Sequence, residues 1–417
     1  MIEVPQIEIP DIDPFGPPPR IEHDGYLVMA LPDSDLDGLR SFHFAVKRTC
    51  RFEPEGRAEP VLRQARLVST DVHFEDADPY AAALRYETDL APPRGGTDIA
   101  INGHVYAPGG EATHCYPAVQ VGGHRVEILA IGDRYAAVDT AGKAHISRPA
   151  PFAVRPLRYT LAYGGVDHQH PLAPLPCRSN PLGVGFLVGP AEGDPPREMW
   201  TPMPNFEDPK NLLDRDNLVI PLQKELPLRP PAGFGWIPKH WEPRASFAGM
   251  PESTKPYWIL AHGDHDPEGE HFRSMNPGFL RGAHPTLQLG PLEGSEAITL
   301  KHMSPDREEM RFRLPGLKPR LAISINGEAL QAVALELSTV HVEADLGEVQ
   351  LCWRGTLVKP DSLESLDALK RLEYEVDGVP TLPAPLIGTG FPIELMKGEL
   401  PPGYLDLSPL ERLKGLT

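Results

Sequence analysis

No C-x-x-C spacing occurs among the four cysteines: Cys50, Cys115, Cys177 and Cys352 are widely separated. The pattern points to reduced, mostly buried thiols in a cytosolic protein. No apolar run approaches the length that spans a bilayer. The first residues, Met1-Ile2-Glu3-Val4-Pro5, carry neither the basic start nor the apolar stretch of a signal peptide, so the expected location is the cytoplasm. Basic charge is short as well, with 40 Lys+Arg against 58 Asp+Glu and a net of -18. A nucleic-acid partner needs a basic footprint and is not expected, and an anionic membrane surface is disfavoured for the same reason. There is no G-x-S-x-G elbow, and Gly183-x-Gly185 lacks the Gly-Lys-Ser/Thr ending of a phosphate loop. No helix carries paired carboxylates at a catalytic spacing. Neither an enzymatic activity nor a cofactor is therefore expected.

What is abundant is proline. The chain of 417 residues has 50 prolines and 38 glycines, without a fixed period. Proline is about twice its usual share of ~5 per cent. Spread along the whole chain, it favours many short strands joined by rigid turns over long helices. Alternation with period two supports this. Phe42, Phe44 and Val46 mark one strand, with a return near Pro60-Val61-Leu62. Ile99, Ile101, Gly103 and Val105 share a face. Val119 and Val121 lead through Gly122-Gly123, a strong hairpin signal, to Val126, Ile128 and Ala130. Later come Ala297, Thr299 and Lys301; Met310, Phe312 and Leu314; Leu321, Ile323 and Ile325; Leu335 and Leu337; Val340 and Val342; and Val349, Leu351 and Trp353. Asn326-Gly327 is the best type I′ turn signal. One helix is expected, from Asp361 to Tyr374, because Leu363, Leu366, Leu369 and Leu372 recur every three residues behind a capping Asp361 or Ser362. A second short helix is expected from Ser408, and a helical turn from Asp208 to Leu213.

The expected fold is mainly β: an antiparallel sandwich-type assembly with Pro-rich connections and a small helical C-terminal part. Residues 1–24 read as an extended leader, 25–195 as an N-terminal β region and 196–260 as a Pro/Trp-rich connector. Residues 261–360 read as a C-terminal β region and 361–417 as a helix and extended, apolar tail. In the connector, Gly233 to Arg244 holds two of the five tryptophans, two prolines and two glycines. Pro238 and Pro243 rule out a helix, and the glycines permit close approach of backbone. The stretch is expected to be a rigid extended plug packed from both sides, with a direct binding surface as the alternative.

Two chemistries need weighing. His262, Asp264, His265 and Asp266 are proper ligand types for zinc or a non-haem metal, and His168 and His170 could join them. Both stretches read as Gly- and Pro-flanked loops without a helix to fix ligand spacing. A metal-dependent hydrolase is thus the alternative reading and no metal the expectation. A carbohydrate-binding sandwich would require exposed aromatics in a line.

In collinear order over residues 25–357, a set of motifs resembles a bacterial domain-of-unknown-function family encoded beside type VI secretion effectors, whose members act as effector adaptors or chaperones. The matching pieces begin with Asp98–Gly110, Val121-Gly122-Gly123, Gly132-Asp133-Arg134, Pro156–Gly165 and Asn180–Phe186. They continue with Pro204–Pro209, Phe234–Pro238, Trp241–Arg244, Leu280-Arg281-Gly282 and Cys352–Gly355. One departure is the family's longer Asn-x-Ala-Pro segment, here reduced to Ser274–Phe279. The resemblance implies a cytosolic adaptor that holds a toxin effector, or its PAAR-like part, and helps load it onto the VgrG spike. On that basis the partner-facing residues would be Phe234, Trp236, His240, Trp241, Arg244, Phe279 and Arg281.

Overall fold

The computed structural model describes residues 20–387 apart from 36–37, 75–79, 171–173, 191–194, 196, 223–225, 227, 251–254, 359–371 and 382–385. Strands dominate. In chain order those that build the main sheets begin with the hairpin β1 (Leu27–Asp35) and β2 (Gly38–Arg51), then β3 (Thr97–Asn102). Next come β4 (Ala118–Val121), β5 (His124–Glu127), β6 (Tyr135–Val138), β7 (Ala144–Ile146) and β8 (Met199–Pro202). The helix α1 (Lys255–His262) precedes β9 (Ala297–Lys301), β10 (Glu309–Arg313), β11 (Leu321–Ile325) and β12 (Gln331–Val333). The labelled strands end with β13 (Leu335–Glu343), β14 (Glu348–Val358), β15 (Leu372–Val376) and β16 (Val379–Thr381).

The central sheet runs β1-β2-β14-β13-β3, with Gln288–Leu289 outside β3 and Glu59–Pro60 on the end of β2. Its neighbours are antiparallel except β13 with β3, which is parallel. It draws strands from both of the expected β regions, since β2 pairs with β14 over the whole run Ser41–Arg51. One face is apolar as the alternation requires: Phe42, Phe44, Val46, Ile99, Ile101, Val340 and Val342 are all fully buried. They share a core with Val119, Ile298, Leu300 and Phe312 of a second sheet, ordered β5-β4-β9-β10. Phe52 stacks on Phe312 with ring centroids 3.8 Å apart. Each such side chain contributes about 1.5–3 kcal/mol on burial, so this double layer is where the fold's stability is concentrated. The architecture is mainly β.

The hairpin signals hold in detail. Gly122 and Gly123 close β4 onto β5 with Val121 opposite His124, and Gly122 takes φ 57°. Asn326 and Gly327 both have positive φ, 56° and 80°, and Glu328 N–H donates to Ile325 O at 3.1 Å, as a type I′ turn requires.

The helices differ from expectation. Most of Asp361–Tyr374 lies outside the described residues, but its end, Leu372–Tyr374, is strand. β15 pairs antiparallel with β11, placing Leu372 opposite Ile325 and Tyr374 opposite Ile323. Leu372, Tyr374 and Val376 also alternate, and pairing buries Tyr374 and Val376 on one face. The expected helix at Ser408 lies outside the described residues. Asp208 starts a turn and not a helix: its Oδ1 accepts from Lys210 N at 2.9 Å. Conversely, α1 forms in a stretch expected to be connector and loop. The tail docks where it is described, as Leu386–Ile387 pairs in parallel with Leu67–Val68.

Candidate functional site

The plug is built inward. Phe234 O accepts from Ile101 N of β3 at 2.8 Å, and Trp236 bridges Ala283. A Cβ on Gly233 would stand 2.5 Å from the Tyr159 ring, so only glycine lets the segment pass. The Tyr159 hydroxyl then donates to Gly235 O at 3.1 Å, and its ring meets Trp241 edge-on at 6.0 Å. Phe234, Trp236, Trp241 and Arg244 are therefore buried, in keeping with a plug packed from both sides and not with the partner-facing placement that the resemblance implied. The prolines and glycines carry the chain across the sheet, and the rings fill the space beneath. Phe279 and Arg281 are half-buried, and only His240 is exposed, against Tyr80 at 4.7 Å.

Beneath the plug lies the second face of the central sheet, which is buried and polar. Alternation places Lys47, Asp98, Asn102, Thr339, His341, Glu343, Gln350 and Arg354 there, all less than a tenth exposed. Three groups of bonds engage all of them but Gln350, whose Nε2 is buried without a partner among the described residues. Arg94 joins Glu87 to Asp98, Arg244 also bonds Glu87, and Arg281 bonds Asp98, which further accepts from Gly282 N at 2.7 Å. Arg244 also donates to Phe279 O and Ile237 O at 2.8 and 2.7 Å. In the second group Trp236 Nε1 donates to His341 Nδ1 at 3.1 Å, so the neutral ring carries its proton on Nε2, facing Glu343 at 3.1 Å. The Tyr86 hydroxyl donates to the same carboxylate at 2.7 Å. In the third, Lys47 pairs with Asp89 at 2.8 Å and Arg354 donates to Asp89 O and Thr339 Oγ1 at 3.0 and 2.8 Å.

This wiring sets the protonation behaviour. Burial raises the Glu87 carboxyl, but Arg94 and Arg244 outweigh it and bring it down to about 2. Burial pushes His284 down to about 4 from its usual 6.5. Both folded values are depressed, so the unfolded chain binds protons first as pH falls. Stability should stay flat above pH 6.5, decline as His284 is forced to charge, and fall further below the usual 4.5 of a glutamate toward 2. Urea midpoints measured across that range should show the two-stage loss, and an acid-independent midpoint would contradict it.

The ionic face leaves little room for a reaction. The cavity between its second and third groups is about 20 Å³, lined by Tyr86, Glu87, Trp236, His341 and Gln350 among others. That is space for about one water, against some 300 Å³ or more for a ligand pocket. Two of the suggested metal ligands are also committed elsewhere. Asp266 accepts from Trp258 Nε1 at 2.7 Å and from the backbone of Glu270 and His271, while His262 stacks on Trp258 at 3.7 Å. His262 ends α1, so a helix does precede this cluster, yet Asp264 and His265 point into solvent. His168 is exposed and His170 buried. Among the described residues no group of three or more His, Cys, Asp or Glu side chains is placed to hold a metal. The four cysteines are buried and unpaired. No helix is long and apolar enough to cross a membrane among the described residues.

Sequence reasoning passed over Glu87, Arg94 and Asp98 as a cluster and Tyr135 with Trp200 as an exposed pair, 60% and 64% accessible. The signal for the latter was an aromatic on the outward phase of an alternating strand. Compared with known proteins, residues 37–354 match a family model described as "Uncharacterized protein conserved in bacteria (DUF2169)". No curated protein and no solved structure matches.

Proposed function

The chain belongs to the DUF2169 family of bacterial proteins, and from the motif resemblance set out above we propose an adaptor or chaperone that binds a type VI secretion toxin effector, or its PAAR-like part, and helps load it onto the VgrG spike from the cytoplasm. It does so without a cofactor or catalysis of its own. The observation that carries this reading is where the charged groups go. The motif residues Asp98, Arg244, Arg281 and Arg354 are locked among internal partners, in an interior with space for about one water. The motifs thus build a stiff scaffold, and recognition falls to the surface and the sheet edges.

Co-expression with type VI effector, PAAR-like and VgrG proteins from the same bacterium tests the proposal. The expected outcome is a complex that survives size exclusion and an effector that is soluble only in its presence. An effector that folds and is delivered without it would overturn the reading. Metal analysis of the same preparation, purified without chelator, should find no stoichiometric zinc or iron. Stoichiometric metal lost on His265→Ala would favour the hydrolase.

The tail offers a second test. Cutting after Thr381 leaves the β15–β16 hairpin whole but removes the strand on Leu67–Val68. Leu67 lies in a small core with Leu27, Met29 and Cys352. The truncated chain is expected to stay folded with a lowered thermal midpoint. Aggregation would show the tail to be part of the core, whereas full stability with lost effector binding would show it to be a binding arm.

A further inference from the structure

On the outer face of the three-stranded sheet β7-β6-β8, alternate side chains form a flat grid. Ala137 stands between His145 on β7 and Trp200 on β8, and Tyr135 stands opposite Pro202. All five are exposed. The opposite phase, Ala136, Val138, Ala144 and Met199, is buried in a small core with Tyr163 and Leu187. Tyr135 and Trp200 are diagonal neighbours across the β6–β8 pair, a separation of about 7–8 Å. The small side chain of Ala137 leaves a notch between them. Neither the phenol O–H nor the indole N–H has a protein partner among the described residues.

The edge of this sheet is closed while its face is open. Gln169 lies along β8, its Nε2 donating to Trp200 O at 2.7 Å and its Oε1 accepting from Trp200 N at 3.2 Å, which copies the two bonds of a neighbouring strand. Gln169 is itself fixed, since its N–H donates to Asp167 at 2.9 Å and its carbonyl accepts from Arg197 at 2.7 Å. Strand addition is blocked at that position, and the Trp200 backbone is held. Exposed Trp and Tyr are the residue types that anchor interfaces.

The geometry points to this face as the docking site for an extended, proline-rich segment of a protein partner, with basic residues at one end. A polyproline II helix repeats every three residues at 3.1 Å each, about 9 Å per turn, close to the diagonal strand spacing of the two residues. Prolines seat on aromatic-lined surfaces in this way. The same helix leaves its carbonyls unbonded, and the free indole N–H and phenol O–H are donors of the kind they need. At one end of the grid Glu198 and Asp139 bring two carboxylates against the single charge of Lys143. Asp139 also holds His145 Nε2 at 3.2 Å. The net charge of -18 favours the approach of a basic segment. This inference rests on the adaptor reading only in taking the ligand to be a polypeptide.

The test is calorimetric titration of the full chain with a decapeptide of eight prolines followed by two arginines. Saturable binding is expected, weakened at least tenfold by Trp200→Ala and by Tyr135→Ala, and severalfold by Glu198→Lys or by exchanging the arginines for glutamates. Both aromatics are exposed, so the variants should keep the parent's thermal midpoint. The absence of saturable binding at millimolar peptide would overturn the inference, as would undiminished binding by both aromatic variants. Binding of neutral oligosaccharides that Trp200→Ala abolishes, without peptide binding, would assign the face to sugars instead. Effector co-purification with the same variants separates the two readings. Co-purification without peptide binding removes the docking face and leaves the adaptor. Peptide binding without any co-purification removes the adaptor and leaves the face.

Discussion

Replacing Asp98 by alanine is expected to lower the unfolding free energy by about 3–5 kcal/mol, the range for breaking a buried ion pair from one side. Its carboxylate is fully buried and serves Arg94, Arg281 and the backbone N–H of Gly282. Alanine takes a carboxylate partner from two guanidinium groups and the acceptor from the Gly282 amide, leaving Arg94 with Glu87 and Arg281 with the carbonyls of Thr97 and Leu289. Asp98→Asn should recover part of the loss, because it restores an acceptor for Gly282 but not the charge. Urea unfolding followed by tryptophan fluorescence measures this well, since the Arg94 guanidinium lies 5.4 Å from the Trp236 ring. A loss below about 1 kcal/mol, the level of an exposed pair, would show that the cluster is solvated in solution.

Truncating Trp241 to alanine should cost a comparable amount, about 3–5 kcal/mol. The side chain is fully buried, meets Tyr159 edge-on, and sits in a turn where Trp241 N donates to Pro238 O at 3.1 Å and Trp241 O accepts from Ala245 N at 2.8 Å. Its indole N–H has no partner among the described residues. Trp241→Phe therefore deletes an unpaired donor along with some volume, and should be much milder than alanine. Equal losses for the two variants would show that the indole N–H is bonded after all. The plug is a packing element on this account, so Trp241→Ala should weaken partner binding only through the folded fraction.

Most strands were legible because one face of each is apolar and the other is not. Even the irregularity in β13 left a trace: the apolar phase runs through Leu335 and Leu337, then changes to Val340 and Val342. The structure places a bulge between Leu337 and Thr339, where that phase changes. The Leu stripe ending at Leu372 misled because Leu372 fits a period of three as well as the alternation with Tyr374 and Val376. Only pairing with β11 decides between them. The site was harder. Arg244 and Arg281 looked like surface cations because nothing local answers their charge; their carboxylates, Glu87 and Asp98, lie far off in sequence and meet them only when the plug crosses the sheet. Burial of a charge is a tertiary fact, and no periodicity announces it. The inward tryptophans of the plug were legible, since Pro238 and Pro243 restrict the backbone and large rings need a pocket.

The pairing of β2 with β14 joins residues about 300 positions apart. At a synthesis rate of 5–20 residues per second, the first hairpin waits about 15–60 s for the strand that completes its sheet. For that interval Phe42, Phe44 and Val46 have no permanent cover, and β2 offers an open ladder to any passing strand. The chain is thus most vulnerable to aggregation while it is still being made, and slower translation lengthens the exposure.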